Sequence, residues 1–125
     1  MDETVCIASA MTAQNHPLIQ LADWPDSAFA EAEGPVEGIA SSIILHRDGD
    51  TITAYLNTCP HAGRRLDWSP GQFLATKEGL LVCAAHGASF DMALKGECVA
   101  GPCRGQSLLP VNVTARDGAV WLADA

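Results

Sequence analysis

Apolar and polar residues alternate along this chain in short runs, and turn-forming pairs break those runs at close intervals. The clearest case lies between residues 40 and 57, where two stretches rich in Ile, Thr and Tyr flank Arg47-Asp48-Gly49-Asp50. Asp-Gly between such runs predicts a β-hairpin, because tight hairpin turns need residues that tolerate positive φ. Residues 111–115 and 119–122 repeat the pattern around Arg116-Asp117-Gly118. Shorter strands are predicted over 18–21, ahead of Trp24-Pro25, and over 73–76 and 80–83 around Lys77-Glu78-Gly79, with another at 90–92. The Ala, Glu, Gly and Pro residues that follow Pro25 through Gly38 predict a loop. Gly96, Gly101-Pro102 and Gly105 predict a second loop-rich stretch. Residues 1–15 have little periodicity and read as a flexible N-terminus. With no helical period, heptad or internal repeat, the expectation is an all-β fold of antiparallel strands, a small sandwich or barrel.

Composition narrows the class. At 125 residues and 48% apolar, the chain is expected to form one domain with a modest core. Its longest apolar runs are far too short to span a bilayer, and no signal-peptide pattern opens it, so a soluble cytoplasmic protein is expected. Of the net charge of −8, residues 1–40 supply seven acids and no Lys or Arg. Residues 59–104 hold five bases against four acids. An acidic body of this kind argues against nucleic acid and anionic membranes as partners. Five cysteines, an odd number, do not form the framework of a secreted disulfide protein.

The chemistry is concentrated in two pairs, Cys59-Pro60-His61 and Cys83-Ala84-Ala85-His86, separated by 21 residues. Two thiolates and two imidazoles suit a tetrahedral zinc or a two-iron, two-sulfide cluster with histidines on one iron. Cys-x-His is awkward for a zinc finger, and one Cys plus one His from each loop suits a cluster whose two irons differ in ligands. Cys6, His16 and His46 read as ordinary side chains. Cys98 and Cys103 read as small buried apolar residues, with a disulfide between them possible but unneeded in the cytosol.

The surroundings of the pairs sharpen this. Cys-x-His-x-Gly-x-x-Leu, from Cys59 to Leu66, and Cys-x-x-His-Gly-x-x-Phe-Asp, from Cys83 to Asp91, resemble the two signature loops of the Rieske [2Fe–2S] family. Gly101-Pro102 resembles that family's proline loop. The resemblance implies one [2Fe–2S] cluster, with Cys59 and Cys83 on the inner iron and His61 and His86 on the outer one. It also implies a base β-domain from residues 17–57 and 105–123, with a cluster-binding subdomain at 58–104. High-potential members carry Ser and Tyr hydroxyls where this chain has Ala88 and Phe90, so a low potential is expected. With no catalytic domain or anchor in sight, the resemblance points to a soluble ferredoxin serving a reductase and an oxygenase or other oxidoreductase. Those partners would dock near His61 and His86, with Arg64 and Arg65 orienting them. The alternatives are a non-catalytic small subunit of a larger redox enzyme, such as a nitrite reductase, and a zinc-binding interaction module. The spacer between the pairs is longer than is common in the family. Trp68 and Phe73 within it are expected to pack beneath the loop, although an exposed Trp68 would suit docking.

Overall fold

The computed structural model describes residues 17–60, 65–84, 87–101 and 103–123. In chain order the strands are β1 (Ile19–Gln20), β2 (Phe29–Val36), β3 (Ile39–Asp48), β4 (Thr51–Leu56), β5 (Leu74–Ala75), β6 (Leu81–Val82), β7 (Ser89–Asp91), β8 (Glu97–Ala100), β9 (Pro110–Val111), β10 (Val113–Arg116) and β11 (Ala119–Leu122). Helical backbone among the described residues is confined to two single 3₁₀ turns, Leu21–Asp23 and Met92–Leu94. The strands form three antiparallel sheets, ordered β1-β11-β10, β2-β3-β4-β9 and β5-β6-β7-β8. The all-β expectation holds.

The sheet β2-β3-β4-β9 lies between two cores, and the period of a strand explains how. On β3, Ile43 and Leu45 enter one core with Ala30, Ala54, Val111 and Val120. Ile44, between them, enters the other with Phe29, Tyr55, Leu81 and Phe90. Burial on both faces is why residues 43–45 are continuously apolar instead of alternating. The first core lies against β11, and the second lies against β6 and β7. At Gly34 the approach is close, since a Cβ there would sit 3.0 Å from Leu18 Cδ2 and 3.2 Å from Leu122 Cδ1.

Both Asp-Gly hairpins form. β3 pairs with β4 up to Asp48↔Thr51, and β10 pairs with β11 up to Arg116↔Ala119. Asp117 and Gly118 both take positive φ, as a type I′ hairpin turn requires. The predicted loop after Pro25 is instead largely strand β2, paired with β3 along its whole length from Phe29↔His46 to Val36↔Ile39. Its Ala, Glu, Gly and Pro residues have poor strand propensity, and pairing plus burial of Phe29, Ala30 and Ala32 overrides that. Pro35 is tolerated because β2 is the edge of its sheet. β8 likewise replaces part of the predicted loop after Gly96. The N-terminal residues 1–15 lie outside the described residues.

Leu45 is fully buried at the centre of its core. Leu45→Ala should cost about 2–5 kcal/mol of stability, read as a lowered thermal midpoint by circular dichroism.

Candidate metal centre

The first loop leaves the end of β4. The backbone N–H of Leu56 donates to Leu109 O at 2.8 Å, and that of Asn57 donates to Ser42 O at 3.0 Å. The buried Asn57 side chain then holds the far end of the loop, its Oδ1 accepting the Leu66 N–H at 2.8 Å. Its Nδ2 donates to Ser42 Oγ at 3.1 Å. A single amide thus joins residues 57 and 66 to β3, with Cys59 between them at 1% exposure.

The second loop leaves β6. The Cys83 N–H donates to Ala88 O at 2.7 Å, and the Cys83 carbonyl accepts the Gly87 N–H at 2.9 Å. The chain turns back at once, and Gly87 takes the positive φ of 78° that this requires. The Ala84 N–H donates to Leu66 O at 3.0 Å and laces the second loop to the first. A third segment closes over them at Gly101, whose φ is +101° and where a Cβ would come within 2.8 Å of Ala88 Cα. Cys59 and Cys83 therefore meet in one core with Leu66, Leu81, Ala88 and Phe90. Two buried thiols at the heads of laced loops are the donor chemistry that iron–sulfur clusters and zinc both take. His61 and His86 lie outside the described residues, as do Cys6, His16, Arg64 and Pro102. His46 sits elsewhere, on β3, with its ring 4.9 Å from that of Phe29, and burial lowers its basicity.

Cys98 and Cys103 were expected as buried side chains, and both are, in the same core as Cys59. The Cys98 thiol donates to Ala100 O at 3.2 Å. Burial, followed by the neighbouring Cys98 and Cys59 sulfurs, pushes the Cys103 thiol up to about 12.

The long spacer builds a small turn on one carboxylate. Asp67, its side chain 1% exposed, accepts the Gly71 N–H at 3.1 Å. Trp68 N–H donates to Gln72 O and Gln72 N–H to Ser69 O, closing the turn. Arg65 forks onto Asp67, Nε to Oδ1 at 3.0 Å and one terminal nitrogen to Oδ2 at 2.8 Å. That same nitrogen reaches Glu31 on β2 at 2.7 Å. Burial raises the Asp67 carboxyl, but the Arg65 hydrogen bond and the Gly71 N–H outweigh it and hold the group below its ordinary value. The hydrogen bonds to Asp67 and Glu31 raise the Arg65 guanidinium further still. Arg65 is thus paired within the molecule, while its side chain remains 43% exposed. Phe73 packs as expected, 6.1 Å from the Phe29 ring. Trp68 does not, and stands 61% exposed. Sequence reasoning missed Asn57 and Asp67, and only the placing of Asn57 two residues before Cys59 hinted at either.

Antiparallel sheets carrying two laced, cysteine-headed loops define a small β-domain built around a metal centre. Residues 23–115 match the Rieske [2Fe-2S] domain model, and the chain belongs to that family, whose cofactor is one [2Fe–2S] cluster. Among solved structures it is similar to the ferredoxin of carbazole 1,9a-dioxygenase from Nocardioides aromaticivorans IC177, at 22% identity and a TM-score of 0.66. That match covers 88% of this chain and 97% of the other. A Sphingomonas yanoikuyae B1 ferredoxin is 23% identical with a TM-score of 0.61, over 88% of this chain and 98% of that one. A putative NADPH nitrite reductase small subunit is 23% identical with a TM-score of 0.57, over 86% and 97%. No curated protein matches the chain.

Asp67→Asn leaves Arg65 with one anionic partner and should lower stability by about 2 kcal/mol, seen as a thermal midpoint several degrees lower. The pH dependence has a definite sign. Because folding lowers the Asp67 carboxyl, its contribution is complete above the unfolded value of about 3.9 and is lost as pH falls through the folded value. Acidification from pH 6 should therefore lower the wild-type midpoint more than that of Asp67→Asn; parallel curves would contradict this. Gly101→Ala meets both a positive φ and the Ala88 backbone, so it should destabilise the loops and release iron faster to a chelator.

Proposed function

We propose that this protein is a soluble, cytoplasmic one-electron carrier, a Rieske-type ferredoxin that passes electrons between a reductase and an oxygenase or other oxidoreductase. The observation that carries this reading is the meeting of Cys59 and Cys83, both 1% exposed, in one core beneath loops joined by the Ala84–Leu66 hydrogen bond. In this reading Cys59, His61, Cys83 and His86 are the four ligands, and redox partners dock near His61 and His86. A [2Fe–2S] group with histidines on one iron supplies one-electron storage in a window of roughly −150 to +300 mV. The matrix around the two cysteines keeps water away from their sulfurs. No helix among the described residues is long and apolar enough to cross a membrane.

The finer expectation is a low potential. Ala88 and Phe90 are fully buried in the core that holds Cys83, and neither carries a hydroxyl to donate to a sulfur. Hydrogen bonds to sulfur are a principal means of raising such potentials.

A second reading, a non-catalytic small subunit of a larger redox enzyme, draws on the likeness to the putative nitrite reductase small subunit. Stable co-purification with a large partner subunit favours it over a freely diffusing carrier.

Purified protein should contain two irons and two sulfides and show the broad visible absorption of a histidine-ligated cluster. Replacing His86 with Ser should abolish that spectrum or change it sharply; zinc in place of iron and sulfide would refute the reading. Redox titration should give a midpoint near the bottom of the window, and a value above about +100 mV would refute the low-potential expectation.

A further inference from the structure

Cys98 and Cys103 have no part in the proposed ligand set, yet the fold brings them together. β8 carries Cys98, and after it Gly101 and residues 103–106 lie under a set of backbone bonds. The Cys98 N–H donates to Gln106 O at 2.7 Å, and the Cys98 carbonyl accepts the Gly105 N–H at 3.0 Å. The Cys103 carbonyl accepts the Gln106 N–H at 2.9 Å, and the Arg104 N–H reaches Gly101 O at 3.2 Å. This scaffold turns the two side chains toward each other, with Cys103 Sγ 2.8 Å from Cys98 Sγ. Both thiols are free and both are buried. A disulfide needs its sulfurs at about 2.05 Å, so closure takes a movement of under an ångström. The pair sits in the same core as Cys59 and follows directly on Gly101, which presses on Ala88.

We propose that Cys98 and Cys103 form a redox modification site: a dithiol that closes to an intrachain disulfide by exchange with a low-molecular-weight disulfide such as glutathione disulfide. The exchange is balanced. One thiolate attacks the reagent and releases one molecule of thiol, and the second thiolate then displaces another as the internal S–S bond forms. Two protein S–H groups are oxidised, and one external disulfide is reduced to two thiols. Closure places Gly101, which lies against Ala88, inside a ring closed between Cys98 and Cys103. The reagent reaches the pair by local opening of a turn whose Gly101, Arg104, Gly105 and Gln106 are exposed. Burial makes this exchange slow, so the equilibrium state is the quantity to read.

The sequence offers a clean readout, because trypsin releases residues 96–104 as one peptide between Lys95 and Arg104, with both cysteines in it. Iron-loaded protein is equilibrated without oxygen against glutathione disulfide, quenched in acid, alkylated with N-ethylmaleimide in denaturant and digested. The expected result is a 96–104 peptide without alkylation, two hydrogens lighter than its unalkylated dithiol form, whereas dithiothreitol-treated protein gives the peptide with two maleimide adducts. Cys98→Ser and Cys103→Ser, checked for folding by circular dichroism, should each fail to give that closed peptide. A wild-type peptide carrying two maleimide adducts after equilibration would overturn the proposal, as would one carrying glutathione without ring closure. Visible absorption recorded on the same sample reports the cluster separately, so failure of this site and failure of the electron-carrier reading are distinguishable.

Discussion

One buried amide governs the geometry of the metal centre. Loops cannot hold two sulfurs in register unless their own backbone groups are satisfied, because buried unpaired N–H and C=O groups are costly. The Asn57 side chain meets that need for the first loop, accepting the Leu66 N–H and donating to Ser42. Leu66, once fixed, presents its carbonyl to the Ala84 N–H, and the second loop is positioned from the first. The second loop then supplies the Ala88 surface against which Gly101 closes. The order of dependence runs from β3 through one side chain to all three segments. No strand pairing among the described residues links Cys59 to Cys83 directly, so weakening Asn57 would loosen both.

The same hub reaches the spacer. Ser42 Oγ donates to Glu31, and Glu31 accepts from Arg65, which also forks onto Asp67. The spacer turn is therefore connected to the sheet that anchors the first loop. Its length makes room for a carboxylate that caps Gly71 and binds Arg65 at once. A bidentate Arg–carboxylate pair is among the stronger polar contacts available, and holding it partly out of water adds to its directional value. Leu66 and Asp67 both turn inward at this bend, and Trp68 beside them stands exposed.

How much of this could be read from the residues depended on how local its cause was. The Asp-Gly hairpins were legible because turn chemistry and flanking periodicity lie within a few residues of each other. The family was legible because the spacing of the two Cys/His motifs is written in the chain, although the placing of His61 and His86 falls outside the described residues. β2 was not legible: Ala, Glu, Gly and Pro say loop, and only the long register with β3 makes a strand of them. Asn57 and Asp67 were equally silent, because an Asn or Asp in a loop ordinarily reads as a turn residue. The pairing of Arg65 was silent too. A loop arginine in an acidic protein reads as a solvated charge, and nothing local shows that Asp67 and the distant Glu31 pair with it.

The chemistry of the wall around the cysteines bears on what the centre can store. Leu66, Leu81, Ala88, Phe90 and Phe29 all lie in the core shared by Cys59 and Cys83, and none has a polar side-chain hydrogen. Low polarity disfavours added negative charge, and these five side chains bring no hydrogen-bond donor to offset it. Cys103 is different in kind. Its thiol is kept protonated by burial and by the sulfurs beside it, so it brings an S–H group into that core next to Cys59. On the low-potential proposal, the wall and the thiol act in opposite senses, the first disfavouring added negative charge and the second bringing a polar hydrogen into the core.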